Sequence, residues 1–261
     1  MKTIRRLSLI AIALVAVAMS LSSCLKERED ELSEESIRKN IIGKWKIVEY
    51  SVGEMLTNKR RVNTYAEDGR MYVSESRERE GVFYWNNHKA AEYTVNKNLL
   101  VQSYNYSRTD KDVLVVTHLD GEDLYVNLAT AREEGKLTYM KFKRVNVDYA
   151  KAIVGLWEGV AMTGDETFGD ANHRIEYKAD GSYDYYNKVN GRWVIKAEEE
   201  NEYCVDGDWL ATRWKSEGDA DFNYEWWDID YCNSSEMRWS AKRQKEDGTV
   251  FTTTFTWKRI Q

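Results

Sequence analysis

Short runs in which apolar and polar residues alternate recur along the chain. In the last one, Phe251, Thr253, Phe255, Trp257 and Arg259 fall on one side, and Thr252, Thr254, Thr256 and Lys258 on the other. An earlier run sets Thr138, Met140, Phe142 and Arg144 against Leu137, Tyr139, Lys141 and Lys143. Period two is the pattern of a half-buried β-strand. Asp68-Gly69, Asp120-Gly121, Asp180-Gly181, Asn190-Gly191, Asp206-Gly207 and Asp247-Gly248 separate such runs. Asp-Gly and Asn-Gly suit tight hairpins, because both central residues tolerate positive φ. Strands spaced by roughly ten residues predict an antiparallel barrel or sandwich.

The pattern occurs twice. "IIGKWKIVEY" (41–50) and "IVGLWEGVAM" (153–162) set Gly43 and Trp45 against Gly155 and Trp157, 112 positions later. Ser36 and Asp148, both good helix N-caps, keep the same offset and each open a short helix-like segment. "YAEDG" (65–69) matches "YKADG" (177–181), "EYTV" (92–95) matches "EYCV" (202–205), and "FKRV" (142–145) matches "WKRI" (257–260). Small drifts in offset are what hairpin insertions and deletions produce. The sequence therefore predicts two domains, 37–146 and 147–261, with almost no linker.

Arg144 and Arg259 fall on the apolar faces of their strands, where an unpaired charge is very costly. A short helix, Gly-x-Trp opening the first strand and an arginine late in the last strand resemble the lipocalin fold and its lipocalin-like bacterial relatives. The resemblance implies an all-β chain of two tandem antiparallel up-and-down barrels, about 110 residues each, each preceded by a short helix. It pairs Trp45 with Arg144 and Trp157 with Arg259, each arginine lying across the indole and closing one barrel end. Avidin-like barrels are a near alternative, and a β-sandwich a more distant one.

The first 36 residues are read apart from the fold. Lys2, Arg5 and Arg6 precede the apolar run "LSLIAIALVAVAM", too short for a comfortable membrane span. "LSSC" (21–24) directly after it resembles a bacterial lipobox, which implies a signal peptide over 1–23 and lipidation of Cys24. Residues 24–36 carry net charge −4 and read as a solvated tether. An acidic stretch behind the lipid-bearing cysteine also resembles the surface-export signal of Bacteroidota lipoproteins. The implied address is the outer membrane, facing the periplasm or the cell surface, with the membrane as a partner through the lipid.

Loss of residues 1–23 would move the net charge from −6 to −9, which disfavours nucleic acid. The charge is uneven: residues 37–149 carry net +3 and 150–261 net −8, so the halves are of opposite sign. Cys204 and Cys232 are the cysteines left after Cys24. An oxidising envelope permits a disulfide between them, with two buried thiols as the alternative.

Enzyme signatures such as HExxH, GxSxG, a P-loop or Cys-x-x-Cys are absent from the sequence, so no enzyme, cofactor or metal site is expected. His88, His118 and His173 read as surface or loop residues, and the pair Asp228 and Asp230 as a solvated face. The acidic loops at 164–170 and 217–221 match no calcium loop. The second half holds eight of the ten tryptophans. In "FNYEWWDIDY", Tyr224 and Trp226 share one face and Trp227 the other, so one face must meet a ligand, the other domain or solvent. With Trp157 inward, Gly159 and Ala161 are also expected inward, leaving room along that wall. Gly159, Ala161, Tyr183, Tyr185, Trp193, Tyr224 and Trp226 are the candidate ligand residues, with Trp209, Trp214 and Trp239 as further lining. The expected function is non-covalent binding of a small apolar or aromatic molecule, in domain 2. The alternative is an accessory protein with filled barrels whose exposed aromatics contact a glycan or another protein.

Overall fold

The computed structural model describes residues 32–51, 53–79, 82–104, 111–128, 138–164, 173–196 and 198–261. Cys24, the signal peptide and most of the tether lie outside them, as does nearly all of the 164–170 loop. Helix α1 (Glu34–Asn40) starts one turn earlier than expected. Its N-cap is Ser33, whose Oγ accepts the Ser36 N–H at 3.2 Å. Glu34 and Glu35 open the helix and Arg38 and Lys39 close it, each favourable to its dipole.

The first domain contains β1 (Gly43–Tyr50), β2 (Gly53–Glu54), β3 (Arg61–Tyr65), β4 (Arg70–Arg79) and β5 (Val82–Asn96). It continues through β6 (Leu99–Ser103), β7 (Lys111–Leu119), β8 (Asp123–Leu128) and β9 (Thr138–Arg144). Each strand from β3 to β8 pairs antiparallel with the next, and β1 pairs with both β3 and β9. These eight strands form a closed barrel, with β2 appended to β1. A 3₁₀ turn, Thr57–Lys59, bridges β2 and β3.

The second domain contains β10 (Gly155–Thr163), β11 (His173–Tyr177), β12 (Tyr183–Val189), β13 (Arg192–Ile195) and β14 (Glu198–Asp206). After these come β15 (Trp209–Ser216), β16 (Asn223–Cys232), β17 (Glu236–Gln244) and β18 (Val250–Arg259). Their order in the sheet is β13-β12-β11-β10-β18-β17-β16-β15-β14. The sheet curls but does not zip shut. In the first domain the long β5 stays paired with β4. Its counterpart is broken in two: β13 stays on β12, and β14 leaves for β15. Across the break the chain is bridged at Ser182–Glu202, by the Tyr203 N–H to the Gly181 carbonyl, and by the Tyr203 hydroxyl, which donates to the Lys178 carbonyl at 2.6 Å. The predicted second helix is one turn, in which Asp148 Oδ1 accepts the Ala150 N–H at 3.1 Å.

Both barrels are plugged in the same way. The Arg144 guanidinium lies 4.2 Å over the Trp45 ring, and Arg259 lies 4.2 Å over Trp157. Arg144 donates to the Ile42 and Asn40 carbonyls, and Arg259 to those of Val154 and Ala152. Each indole N–H reaches back four residues, to Ile41 at 2.7 Å and Ile153 at 2.6 Å. The glycines follow from this packing. A Cβ on Gly43 would sit 2.6 Å from Arg144 Nη1, and one on Gly155 2.4 Å from Arg259 Nη1. Both glycines also have positive φ, +124° and +136°.

The two halves dock through charge and aromatic rings. Lys46 Nζ lies 2.7 Å from Asp208 and 3.1 Å from Asp228, and Arg60 also pairs with Asp228. Lys44 reaches Asp206 and, at 3.0 Å, Asp148. Ser74 donates to Asp206 as well. Asp228 is therefore no solvated residue, while Asp230 pairs outside the seam with Arg238 at 3.2 Å. Burial alone would raise the Asp206 carboxyl. Hydrogen bonds from His88, Lys44 and Ser74, with the Lys44 charge, outweigh it and hold the group below its ordinary value. Beside this network, Val62 packs with Cys204, Trp209 and Ala211, flanked by Trp85 and Trp226. Phe83 stacks on Tyr224 at 3.6 Å.

Cys204 and Cys232 are buried free thiols, not a disulfide. Cys204 belongs to the seam cluster and Cys232 to the second core, so their side chains lie in different packing environments. Burial pushes the thiols up to about 12 and about 11, leaving both protonated and unreactive. A bond closing this loop would contribute roughly 3 kcal/mol. Reductant is therefore expected to leave the melting temperature unchanged, and thiol titration should count two buried groups that react only in denaturant. A reductant-dependent drop of several degrees would show a bond instead.

Candidate functional site

The interiors of the two barrels differ. In the first, buried polar side chains share the interior with the apolar core. Asn63 and Gln102, both fully buried, hydrogen-bond the Tyr65 hydroxyl. The Tyr104 hydroxyl lies 2.7 Å from Gln102 Oε1, 2.8 Å from Asp112 and 3.3 Å from Arg61 Nη1. These bonds tie β3 to β6 and β7 across that interior, with Asn63 Oδ1 left without a partner among the described residues.

The second barrel keeps a cavity of about 220 Å³. Its inner wall is a cluster of rings. Trp239 stacks on Trp227 at 5.1 Å and meets Trp257 edge-on at 5.0 Å, and Trp257 stacks on Phe255 at 4.1 Å. Tyr177 packs edge-on to Trp239 at 6.3 Å. Alternation along the strands brings them together: β16 turns Trp227 inward, β17 turns Trp239, and β18 turns Phe255 and Trp257. Eight strands leave room for side chains or one small ligand. The second domain leaves part of its interior unfilled because its wall is broken beside Tyr183 and Tyr185, which line the cavity.

Two polar pairs face this aromatic box. The Tyr185 hydroxyl lies 2.7 Å from His173 Nδ1, and Arg243 holds Glu225 at 2.9 Å. Arg243 also lies 4.6 Å over the Trp227 ring. The Tyr177 hydroxyl and the indole N–H groups of Trp239 and Trp257 are buried without a hydrogen-bond partner among the described residues. Burial, then the nearby Tyr183 and Glu225, raises the Tyr177 hydroxyl well above its ordinary value, so it keeps its proton. Three lining residues thus carry donors and lack acceptors, each at a cost of about 1–3 kcal/mol.

Several sequence-level candidates lie elsewhere. A β-bulge between Gly159 and Ala161 shifts the register: Gly159 opposes Trp257, Ala161 opposes Thr256, and Met162 opposes Phe255. Ala161 therefore faces solvent, and Met162 takes the inward place expected for it. Gly159 is half-buried and faces Trp257 across the strand pair, short of the cavity's lining residues. Trp193 is on the exterior, with Arg174 4.3 Å and Lys188 5.3 Å from its ring centre. Tyr224, Trp226 and Trp209 belong to the seam between domains. Tyr183, Tyr185, Trp214 and Trp239 do line the cavity. His173, read as a surface histidine, lines it too: it opens β11 on the same face as Ile175 and Tyr177, a parity visible in "HRIEY". Glu225 and Lys196 were also missed. Glu225 shares its face with Trp227, while nothing in the sequence marks Lys196.

No family model matches the chain, and no curated protein sequence does. Among solved structures, similarity extends to a protein of unknown function of the DUF3598 family from Nostoc punctiforme, at 10% identity over 87% of this chain and 99% of that one, with TM-score 0.25. A candidate outer membrane protein of Bacteroides fragilis matches at 10% identity over 85% and 99%, with TM-score 0.22. The vaccine antigen transferrin binding protein B of Haemophilus parasuis matches at 8% over 78% of this chain and 51% of that one, with TM-score 0.25, so the chain spans about half of that protein. At these scores nothing about function follows from the likeness.

Proposed function

We propose that this chain is a cell-envelope binding protein, anchored by lipid on Cys24, that takes a small aromatic molecule non-covalently in its second barrel. The observation that carries the reading is the ring-lined cavity beside a broken wall in the second domain. An apolar cavity of about 150 Å³ is enough to hold benzene. At about 220 Å³ this one suits one or two fused rings with a short substituent, below the range of drug-sized pockets. Binding without chemistry is the role proposed, since the polar pairs at the cavity are already engaged with each other.

Native mass spectrometry of the protein purified from its own host tests this directly. A reproducible bound small molecule is expected, and indole as a probe should bind saturably. Met162→Trp, which places a larger ring on the cavity wall, should weaken indole by at least about tenfold, equivalent to about 1.4 kcal/mol. A protein that is empty from its host and indifferent to indole would sink the reading.

A further inference from the structure

A second opening lies on the domain seam, outside both barrels. It encloses about 410 Å³ between the 3₁₀ turn of the first domain and the outer faces of β16 and β17. Leu56 and Trp226 supply apolar wall, and Asn58, Lys59, Lys242 and Gln244 the polar part. The turn is pinned there by the Lys242 backbone N–H, which donates to Thr57 Oγ1 at 2.8 Å. We propose that this cleft binds the neutral sugar ring of a glycan.

Three observations select that chemistry. Asn58 Oδ1 is a buried acceptor and Trp226 Nε1 a buried donor, and neither has a partner among the described residues. A hydroxyl group both donates and accepts, so a sugar's hydroxyls can serve both once the two side chains turn toward the cleft. A phosphate or carboxylate only accepts and would leave Asn58 unsatisfied. Two of the three cations that line the cleft are neutralised, Lys242 by Glu54 and Arg243 by Glu225, and Lys59 stands exposed at its rim. The indole and Leu56 match the C–H face of a pyranose, as amphipathic sites with a few placed polar groups do. Domain seams are a preferred place for such sites.

The test titrates the purified full chain with the methyl glycosides of glucose, galactose and N-acetylglucosamine, followed by ligand-observed saturation-transfer NMR. At least one should bind saturably. Asn58→Ala and Trp226→Phe should each weaken it about tenfold, the effect of one lost hydrogen bond. Asn58→Ala removes an unsatisfied buried acceptor, so its melting temperature should hold or rise while binding falls. A merely structural role for Asn58 would move the two readouts together. Neither residue lines the barrel cavity, so indole binding should stay intact. The proposal is overturned if no glycoside binds, if both variants bind as the parent does, or if inorganic phosphate displaces the sugar.

Discussion

Replacing Trp157 with alanine is expected to destabilise the second domain by about 3–5 kcal/mol, the usual cost of emptying a buried tryptophan site. The side chain is fully buried, holds Arg259 over its ring and ties β10 back to the Ile153 carbonyl. Without it the guanidinium keeps its carbonyl partners but loses the aromatic face, worth about 1–2 kcal/mol of that total when desolvated. Trp157→Phe should cost less than the alanine change, because a ring remains under Arg259. Gly155→Ala should be costly through a different cause: its Cβ would collide with Arg259 Nη1, and its φ of +136° disfavours any side chain. Urea unfolding followed by fluorescence measures all three. A loss below about 1 kcal/mol for Trp157→Ala would contradict the plug. The first domain should melt as before, unless the seam couples the two.

That coupling is the subject of the second large effect. Asp228→Ala is expected to cost about 3–5 kcal/mol, because it strips a carboxylate from two nearly buried cations, Lys46 and Arg60. Lys46 keeps Asp208, while Arg60 is left with Glu54 at 3.9 Å. Calorimetry should then resolve two transitions in place of one cooperative event, and a single unshifted transition would refute the role of the seam. Its pH limits follow from Asp206 and Lys44. Asp206 is held below its ordinary 3.8, so its contribution is present above that value and disappears as pH falls through the folded-state value. Burial alone would lower Lys44, but Asp206 and Asp148 raise it above 10.5, so its contribution is present below 10.5 and lost only as pH climbs further. Seam stability should therefore be flat between these limits, and Asp206→Asn should blunt the acid limb.

The fold was legible because it is written in local patterns. Period two, Asp-Gly turns and the duplicated Gly-x-Trp each depend on a few neighbouring residues; they implied antiparallel barrels or sandwiches in tandem, and the lipocalin resemblance selected the barrel. The opposite charges of the two halves were legible as well, although not which residues meet. The site was less legible. Reading Ala161 as inward assumed an unbroken strand, and the bulge after Gly159 reverses the face of every residue beyond it. Tyr224 and Trp226 were correctly set apart from Trp227 by parity, but parity assigns a face and not its neighbour. That neighbour is Phe83, Trp85 and Val62 of the other domain. Cys204 and Cys232 could be paired on paper, yet they sit in separate clusters.

By itself, then, the sequence determined an all-β chain and its internal repeat, which depend on strand periodicity and on steric rules that act over a few residues; the arginine over each plugging tryptophan was implied by the lipocalin resemblance. The tertiary structure alone decided that the second sheet parts between β12 and β14, that a cavity survives there, and that the seam buries ion pairs. Those outcomes depend on how well two long-range surfaces fit. Losing the continuity of one strand opens a wall, and packing density, which no local pattern encodes, sets what space is left behind it.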